Sequence, residues 1–206
     1  MSELTIGFDL DMTLIDSRPG IRAAHHELTQ QTGVYIDADH AVSRLGPPLK
    51  DELANWFPAA HVDEMSDRYR DLYPEFALPL IEALPGAAEA LIAARKNGRA
   101  IITAKFEVNA RLHVERLGLE ADRIYGGAWR MAKADVLRAE GAGIYVGDHI
   151  HDMNAADGAG AIGVGVATGP CSPEELREHG AAVVLNSLRE FPDYLEEELA
   201  AQAGRA

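Results

Sequence analysis

The sequence predicts an α/β fold in which a parallel β-sheet is interrupted, after its first strand, by an inserted helical domain. Short apolar runs with the composition of β-strands alternate with helical patterns through the second half of the chain. A stretch of about 70 residues with helical patterns separates the first apolar run from the second, which is too long for an ordinary crossover connection. Hydrophobic residues make up 47% of the 206 residues, a share sufficient for a core of ordinary size.

Six apolar runs have the length of β-strands. They are LTIGFDL (4–10), RAIITA (99–104), RIYGG (123–127), GIYVGD (143–148), AIGVGVA (161–167) and AAVVL (181–185). Alternation of such runs with helices is typical of right-handed crossovers on a parallel sheet. In sheets of this kind ligands bind at the carboxyl ends of the strands.

Five segments between these runs have apolar residues three and four positions apart, as amphipathic helices do. They are GAAEALIAARKNG (86–98), EVNARLHVERLGL (107–119), KADVLRAEGAG (133–143), DMNAADGAGA (152–161) and SPEELREHG (172–180). The acidic end of the chain, residues 193–206, is predicted to form a solvated terminal helix.

The interval after the first strand contains helical patterns and no convincing strand. The patterns are SRPGIRAAHHELTQQTG (17–33), DADHAVSR (37–44), LKDELANWF (49–57) and HVDEMSDRYRDLYPEF (61–76). Ser17 is a plausible N-cap with Pro19 just inside the helix, and Gly33 is a plausible stop. We therefore predict a core domain of residues 1–15 and 85–206 and a helical cap domain of residues 16–84.

Composition limits the partners of the protein. The formal net charge of −14 opposes non-specific attraction to nucleic acid or to an anionic membrane, so neither is expected as a partner. The single cysteine, Cys171, excludes an internal disulfide and fits a reducing cytosol. No apolar run approaches the about 20 residues that span a bilayer, and the first residues lack the pattern of an export signal. We expect a cytoplasmic protein.

The stretch FDLDMTLIDS (8–17) places two acidic residues where they should repel each other. Side chains at i and i+2 of a strand point to the same side, so Asp9 and Asp11 would lie close together. Two unit charges about 4 Å apart repel by about 4 kcal/mol at an effective dielectric of about 20. The pair therefore requires a metal ion, a lysine or a shared proton.

Further polar residues fall at or just beyond the predicted strand ends, where a parallel sheet would bring them together. In chain order the set is Asp9, Asp11 and Thr13, then Thr103, then Lys133, then Asp148 and Asp152. Asp9, Asp148 and Asp152 would supply the hard oxygen ligands that an octahedral Mg²⁺ ion prefers. A metal ion there would reduce the repulsion between the carboxylates.

This set, in this order and on this architecture, resembles the haloacid dehalogenase (HAD) superfamily in its phosphatase branch, and the resemblance covers essentially the whole chain. The similar groups are the phosphoglycolate phosphatase-like and beta-phosphoglucomutase-like enzymes. The resemblance implies a HAD-like Rossmannoid parallel-sheet core with an inserted α-helical cap of the C1 type. It also implies an enzyme that acts on a small phosphorylated metabolite.

The resemblance assigns the chemistry to two carboxylates. Asp9 would be the nucleophile that forms an aspartyl-phosphate. Asp11 would protonate the leaving alkoxide and later take a proton from the attacking water. The dehalogenases of the superfamily lack an acid at the position of Asp11, so this residue favours phosphoryl transfer over cleavage of a carbon–halogen bond.

The same resemblance assigns phosphate binding to Thr103 and Lys133. The Thr103 hydroxyl would bind a phosphate oxygen, and the Lys133 ammonium would neutralise the phosphate and keep the nucleophile ionised. The implied cofactor is Mg²⁺, with ligands Asp9, Asp148, Asp152 and the backbone carbonyl of Asp11.

The segment RLGPPLKDEL (44–53) resembles the specificity loop of the phosphoglycolate phosphatase-like group. Gly46 would permit a turn, and Arg44 or Lys50 would contact a second anionic group of the substrate. Arg18, beside the start of the insertion, is a further candidate. The alternative for Arg18, Arg44 and Lys50 is an exposed, solvated face. The substrate is expected to be a small phosphate monoester that carries a carboxylate or sugar hydroxyls.

Several assignments stay open at the level of sequence. Asp152 could cap a helix instead of binding metal, and Lys105 competes with Lys133 for the phosphate-binding role. His149 and His151 flank the metal motif, where loop contacts compete with ligation.

Two other functions also stay open. A sugar-phosphate mutase of the beta-phosphoglucomutase type would share the fold and the pair of aspartates. A catalytically silent HAD-fold binding protein is the third possibility, although none of the expected acidic, threonine or lysine residues is missing. The protein is expected to be a monomer or a homodimer.

Overall fold

The computed structural model describes residues 4–204, and a six-stranded parallel sheet lies at its centre. The strands are β1 (Thr5–Phe8), β4 (Gly98–Ile102), β5 (Arg123–Tyr125), β6 (Ala142–Gly147), β7 (Ile162–Val166) and β8 (Ala181–Leu185). Each strand overlaps one of the six predicted runs, and the order of the strands in space is β5-β4-β1-β6-β7-β8. The predicted α/β fold is therefore confirmed.

Six helices cover the sheet. They are α5 (Ala87–Ala93), α6 (Glu107–Arg116), α7 (Met131–Ala139), α8 (Ile150–Ala159), α9 (Pro173–Glu178) and α10 (Phe191–Ala203). All four residues of β1 are buried, because this strand lies between β4 and β6 and carries helices on both faces. The residues that follow β1 therefore start from the most rigid part of the sheet.

Four α-helices lie between residues 16 and 84. They are α1 (Arg18–Thr32), α2 (Ala38–Val42), α3 (Leu49–Leu53) and α4 (Val62–Phe76). Helix α1 packs against α2 and α4, and buried side chains such as Leu28 and Tyr69 form part of the hydrophobic core. Within residues 4–204, no helix is both long enough and apolar enough to cross a bilayer.

The expectation of no strand between residues 16 and 84 was wrong in one detail. Two short antiparallel strands, β2 (Ile15–Asp16) and β3 (Glu82–Ala83), pair where the chain leaves the sheet for the inserted helices and where it returns. Two residues are too few for an alternating pattern to be visible in a sequence. This pairing holds both connections side by side.

The ends of α1 follow the sequence signals only in part. Gly33 adopts the left-handed conformation, with φ of 72°, and its N–H donates to the carbonyl of Thr29, as expected for a helix stop. Ser17 occupies the N-cap position but its side chain makes no capping hydrogen bond, because its backbone is already helical.

Hydrogen bonds connect the insertion to the core. The Tyr73 hydroxyl of α4 lies 3.0 Å from Nε2 of His113 on α6. Arg116, also on α6, donates to the carbonyl oxygens of Ile81 and Pro79 at 2.7 and 2.9 Å. The segment that returns from the insertion is thereby fixed to α6.

Two buried histidines should make stability depend on pH. Burial lowers the pKa of His25 to about 4 and that of His113 to about 3, from an ordinary value of 6.5. The unfolded chain therefore binds protons on these side chains first, and stability falls as the pH drops below 6.5. The slope that each histidine contributes should approach about 1.4 kcal/mol per pH unit near pH 5, where the unfolded side chain is protonated and the folded one is still neutral.

Urea unfolding of the wild type, His25→Gln and His113→Gln at several pH values between 7 and 4.5 measures this effect. In each variant, the slope of the unfolding free energy against pH should be smaller by the contribution of the histidine that was replaced. This holds whatever the stability of the variant at pH 7. A slope unchanged in both variants would contradict the assignment, since all other titrating groups are common to the three proteins.

Candidate active site

The two aspartates after β1 do not share a cation. Nζ of Lys133 lies 3.0 Å from Oδ1 of Asp9, and Nζ of Lys105 lies 2.7 Å from Oδ1 of Asp11. The Asp9 amide donates to the carbonyl of Val146, which extends the ladder between β1 and β6 by one residue. Each carboxylate therefore has a separate lysine partner, which answers the repulsion expected from the sequence.

A cluster of three buried carboxylates surrounds Lys133. Oxygen atoms of Asp9, Asp148 and Asp152 all lie within 4.8 Å of one another. Lys133 Nζ donates to Oδ1 of Asp152 at 2.6 Å, and the Thr13 hydroxyl donates to Oδ1 of Asp148 at 2.7 Å. The structure thus brings together residues from the ends of β1 and β6 and from helices α7 and α8.

Burial controls the protonation of this cluster. It raises the pKa of the Asp9 carboxyl to about 7, although the Lys133 ammonium acts in the opposite direction. Burial, together with the charges of Asp152 and Asp9, also raises the pKa of Asp148 well above its ordinary value. Burial alone would lower the pKa of Lys133, but Asp152 and Asp9 raise it, so this side chain stays charged.

The donor set fits a divalent cation. Three carboxylates surround one ammonium group, so the ionised cluster carries two uncompensated negative charges. Oδ1 of Asp9 is buried and accepts no hydrogen bond from the described residues, although it lies 3.0 Å from the charged Nζ of Lys133. Carboxylate oxygens are the ligands that Mg²⁺ prefers. A Mg²⁺ ion would therefore match both the charge and the chemistry of the cluster.

Asp152 caps a helix, which was one of the two alternatives left by the sequence, and it also belongs to the carboxylate cluster. Its Oδ2 accepts a hydrogen bond from the backbone N–H of His149, which begins α8, while its Oδ1 accepts the one from Lys133. His149 and His151 form loop contacts: the His151 N–H donates to Nδ1 of His149, and both rings pack against Trp129. Neither histidine belongs to the carboxylate cluster found among residues 4–204.

Thr103 and Lys105 follow β4 and lie beside the first two aspartates. Thr103 is buried at the end of the strand, and its hydroxyl accepts a hydrogen bond from the Lys105 N–H at 3.2 Å. Burial alone would raise the pKa of the Asp11 carboxyl, but Lys105 outweighs it and lowers this pKa. Lys105 and Lys133 are thus partners of different carboxylates.

Two glycines make room for the side chains of Asp148 and Asp152. The sequence analysis did not select either glycine. A Cβ atom on Gly169 would lie 1.7 Å from Oδ2 of Asp148, and one on Gly147 would lie 2.4 Å from Cβ of Asp152. The signal for Gly147 was its position directly before Asp148. No local signal marks Gly169, because its contact is with a residue about twenty positions away in sequence.

A cavity of about 360 Å³ lies between the carboxylate cluster and the inserted helices. Asp9, Asp11, Thr103 and Lys133 line one end, and Arg44, Gly46 and Lys50 line the side formed by the insertion. The sequence analysis had selected all seven of these lining residues.

Three basic candidates of the insertion have carboxylate partners of their own. Arg44 binds Glu52, Lys50 binds Asp63, and Arg18 binds Asp16. Arg18 borders a second cavity, of about 300 Å³, and not the one that contains Asp9.

The fold and the site define an α/β protein with two carboxylates after its central strand and, beside them, a carboxylate cluster that could hold a metal ion. The family model that matches the chain, over residues 6–166, is the haloacid dehalogenase-like hydrolase. The chain belongs to this family. The resemblance inferred from the sequence is confirmed, and the protein is a hydrolase of this family.

Individual relatives agree with the family. A 5'-nucleotidase of Pseudomonas aeruginosa is 28% identical, over 84% of this chain and 86% of its own. The structure of a haloacid dehalogenase-like family protein from Streptococcus pneumoniae is similar with a TM-score of 0.80, at 22% identity, over 94% of this chain and 98% of the other. That of a predicted phosphoglycolate phosphatase from Haemophilus somnus has a TM-score of 0.78, at 18% identity and with the same coverage.

Substitution of Gly169 tests the carboxylate cluster through its packing. Gly169→Ala should displace the Asp148 carboxylate and weaken Mg²⁺ binding by about 10- to 100-fold, the usual effect of disturbing a ligand's support. Calorimetric titration with Mg²⁺ measures this directly, and circular dichroism checks the fold. Gly158→Ala is the matched control, since its Cβ would make only ordinary contacts at 3.5 Å or more. Equal Mg²⁺ affinity in both variants would refute the assigned cluster.

Proposed function

We propose that the protein is a magnesium-dependent phosphatase that hydrolyses a small phosphate monoester through an aspartyl-phosphate intermediate, as expected for the phosphoglycolate phosphatase-like group. The observation that carries the proposal is the pair Asp9 and Asp11, each held by its own lysine, at the floor of a cavity. One carboxylate can act on the phosphorus atom while the other transfers protons.

In the first step, a carboxylate oxygen of Asp9 attacks the phosphorus atom and the bond from phosphorus to the ester oxygen breaks. Asp11 donates its proton to that oxygen, so the product leaves as an alcohol. In the second step, water attacks the phosphorus of the aspartyl-phosphate and Asp11 accepts its proton, which releases inorganic phosphate and restores Asp9. Asp9 must be ionised to attack, but an ionised carboxylate needs no base to activate it, so alignment is then the main requirement.

Lys133 and Thr103 are proposed to bind the phosphate. Both side chains are buried, and both line the cavity beside Asp9. Lys133 stays charged in this environment and can neutralise one phosphate oxygen, while the Thr103 hydroxyl can donate to another. When bound, Mg²⁺ would supply further positive charge; Asp9, Asp148, Asp152 and the Asp11 backbone carbonyl are its proposed ligands.

Lys105 is proposed to position Asp11. Its side chain is only 7% exposed, and its ammonium contacts Asp11 on one side and lies 5.1 Å from the centre of the Tyr73 ring on the other. While Lys105 contacts Asp11, the lowered pKa of Asp11 favours its ionised form, which is the form that accepts a proton in the second step. A phosphate dianion next to Asp11 would raise that pKa and favour the protonated form needed in the first step.

Residues 16–84 are proposed to act as a cap domain that covers the reacting groups and limits their contact with water. Side chains of α1, α3 and α4 line the cavity, which supports this role. A mutase would use the same pair of aspartates but return the phosphoryl group to a sugar. No contact in the described residues favours the mutase, and product analysis with a hexose 1-phosphate distinguishes the two.

Phosphate release from a panel of monoesters tests the proposed function. The panel contains phosphoglycolate, sugar phosphates and, because one relative is a 5'-nucleotidase, nucleoside monophosphates. Asp9→Asn should reduce kcat/KM by at least about a thousandfold, since it removes the nucleophile, and a chelator should abolish release. Asp157→Asn, at an exposed position of α8, is the matched control. Release that persists in Asp9→Asn or with chelator would sink the mechanism.

The role of Lys105 predicts a dependence on the leaving group. Lys105→Met should slow hydrolysis of an alkyl phosphate by about 10²-fold, because a poorly positioned acid protonates the alkoxide less effectively. p-Nitrophenyl phosphate needs little protonation of its leaving group and should be affected less, and Lys105→Arg should restore part of the alkyl phosphate activity. Equal losses for both substrates would show that Lys105 does not act through Asp11.

A further inference from the structure

The cavity above Asp9 offers a second anionic group of a substrate only positive charges that already have partners. Five basic side chains line it, and each is paired with a carboxylate. The pairs are Arg44 with Glu52, Lys50 with Asp63, Arg70 with Asp67, Lys105 with Asp11, and Lys133 with Asp9 and Asp152. A phosphate can use the charge of Lys133, but a carboxylate elsewhere on the substrate would have to displace one of the other partners.

Arg44 and Glu52, near the two ends of the predicted specificity loop, form the least exposed of these pairs on the insertion. Both oxygens of Glu52 accept hydrogen bonds from Nη2 of Arg44 at 3.0 Å, and Oε1 also accepts one from the Trp56 indole at 2.8 Å. Glu52 is mostly covered, with a side chain 16% exposed. The Lys50–Asp63 pair is more exposed and is correspondingly weak. Arg44 is therefore already bound to a carboxylate of the insertion itself.

Apolar and aromatic side chains form most of the remaining wall. Those that line the cavity away from the carboxylate cluster are Ile21, Leu45, Leu49, Tyr69, Phe106 and Trp129. The Phe106 ring is held by the guanidinium of Arg70, which lies 4.6 Å from the ring centre. Such walls bind uncharged rings, because burial of apolar surface stabilises them and no charge has to be desolvated.

Trp129 occupies a defined position in this wall. Its ring packs edge to face on His151, with centres 4.9 Å apart, and is tilted against His149 at 5.9 Å. From the insertion side, a Cβ on Gly46 would lie 3.3 Å from the Trp129 ring and 3.1 Å from that of His149. The ring is thus fixed by the core and approached closely by the specificity loop.

We infer that the cavity selects phosphate monoesters whose leaving group carries an uncharged planar ring, such as the base of a nucleoside 5'-monophosphate, and that Trp129 is a contact for this ring. The inference rests on the proposed phosphatase function and replaces the expected contact of Arg44 or Lys50 with a substrate carboxylate. A volume of about 360 Å³ is near the lower limit for ligand pockets and exceeds what a phosphate group alone requires.

The test compares substrates with and without a base attached to the ribose. Ribose 5-phosphate and uridine or adenosine 5'-monophosphate share the phosphate and the primary alcohol that leaves. The ratio of kcat/KM for the nucleotide to that for ribose 5-phosphate should be about tenfold or more in the wild type, as expected for stacking of one base on an aromatic side chain. Trp129→Ala should bring this ratio close to one.

Tyr35→Ala is the matched control, since this tyrosine is 73% exposed and does not line the cavity. Its ratio should equal that of the wild type. A wild-type ratio near one, or a ratio unchanged by Trp129→Ala, would overturn the inference while leaving the phosphatase intact. A preference for phosphoglycolate that Arg44→Ala removes would overturn it in favour of a second anionic group.

Binding separates this inference from the proposed function. Calorimetry on the Asp9→Asn protein compares the affinities for uridine 5'-monophosphate and ribose 5-phosphate without turnover. Tighter binding of the nucleotide that depends on Trp129 supports the inference even if the wild type releases no phosphate from any substrate. Equal binding of both compounds overturns it, whatever the phosphatase assay shows.

Discussion

The burial of several carboxylates at the end of one central strand is the constraint on which the rest of the site depends. Desolvation penalises each charge, so each needs a cation in contact or must take up a proton. Lys105, which follows β4, reaches Asp11, while Lys133, at the start of α7, reaches Asp9. Because β1 lies between β4 and β6, the order of the sheet brings Lys105 and Asp148 to the same place, and α7, which packs on β4 and β6, adds Lys133.

Close packing makes the carboxylate cluster sensitive to small changes. Asp152 uses one oxygen to begin a helix and the other to bind Lys133, so its side chain has no freedom to turn. Gly147 and Gly169 leave no space for a methyl group beside the two carboxylates of the metal motif. Packing of this kind holds ligands in position before a metal or substrate arrives, which is the condition for efficient charge stabilisation.

The inserted helices contribute mainly apolar lining to the cavity, and their charges are secondary. They are joined to the core by the β2–β3 pair, by the Tyr73–His113 hydrogen bond and by Arg116. The basic side chains that the insertion contributes to the cavity are paired with acidic neighbours, which are abundant in a chain with a strong acidic excess. Electrostatics would therefore act mainly at the phosphate end of the cavity, and apolar contacts would dominate at the other end.

The sequence by itself determined the alternation of strands and helices, the position of the helical insertion after the first strand, and the family. These features depend on local periodicity and on chemically distinctive residues such as Asp9, Asp148 and Lys133, which are visible one position at a time. Only the tertiary structure decided which lysine pairs with which aspartate, that Arg44 is already bound within the insertion, and that Gly169 backs Asp148. These contacts join residues far apart in sequence, and their distances depend on the packing of the whole sheet and its helices.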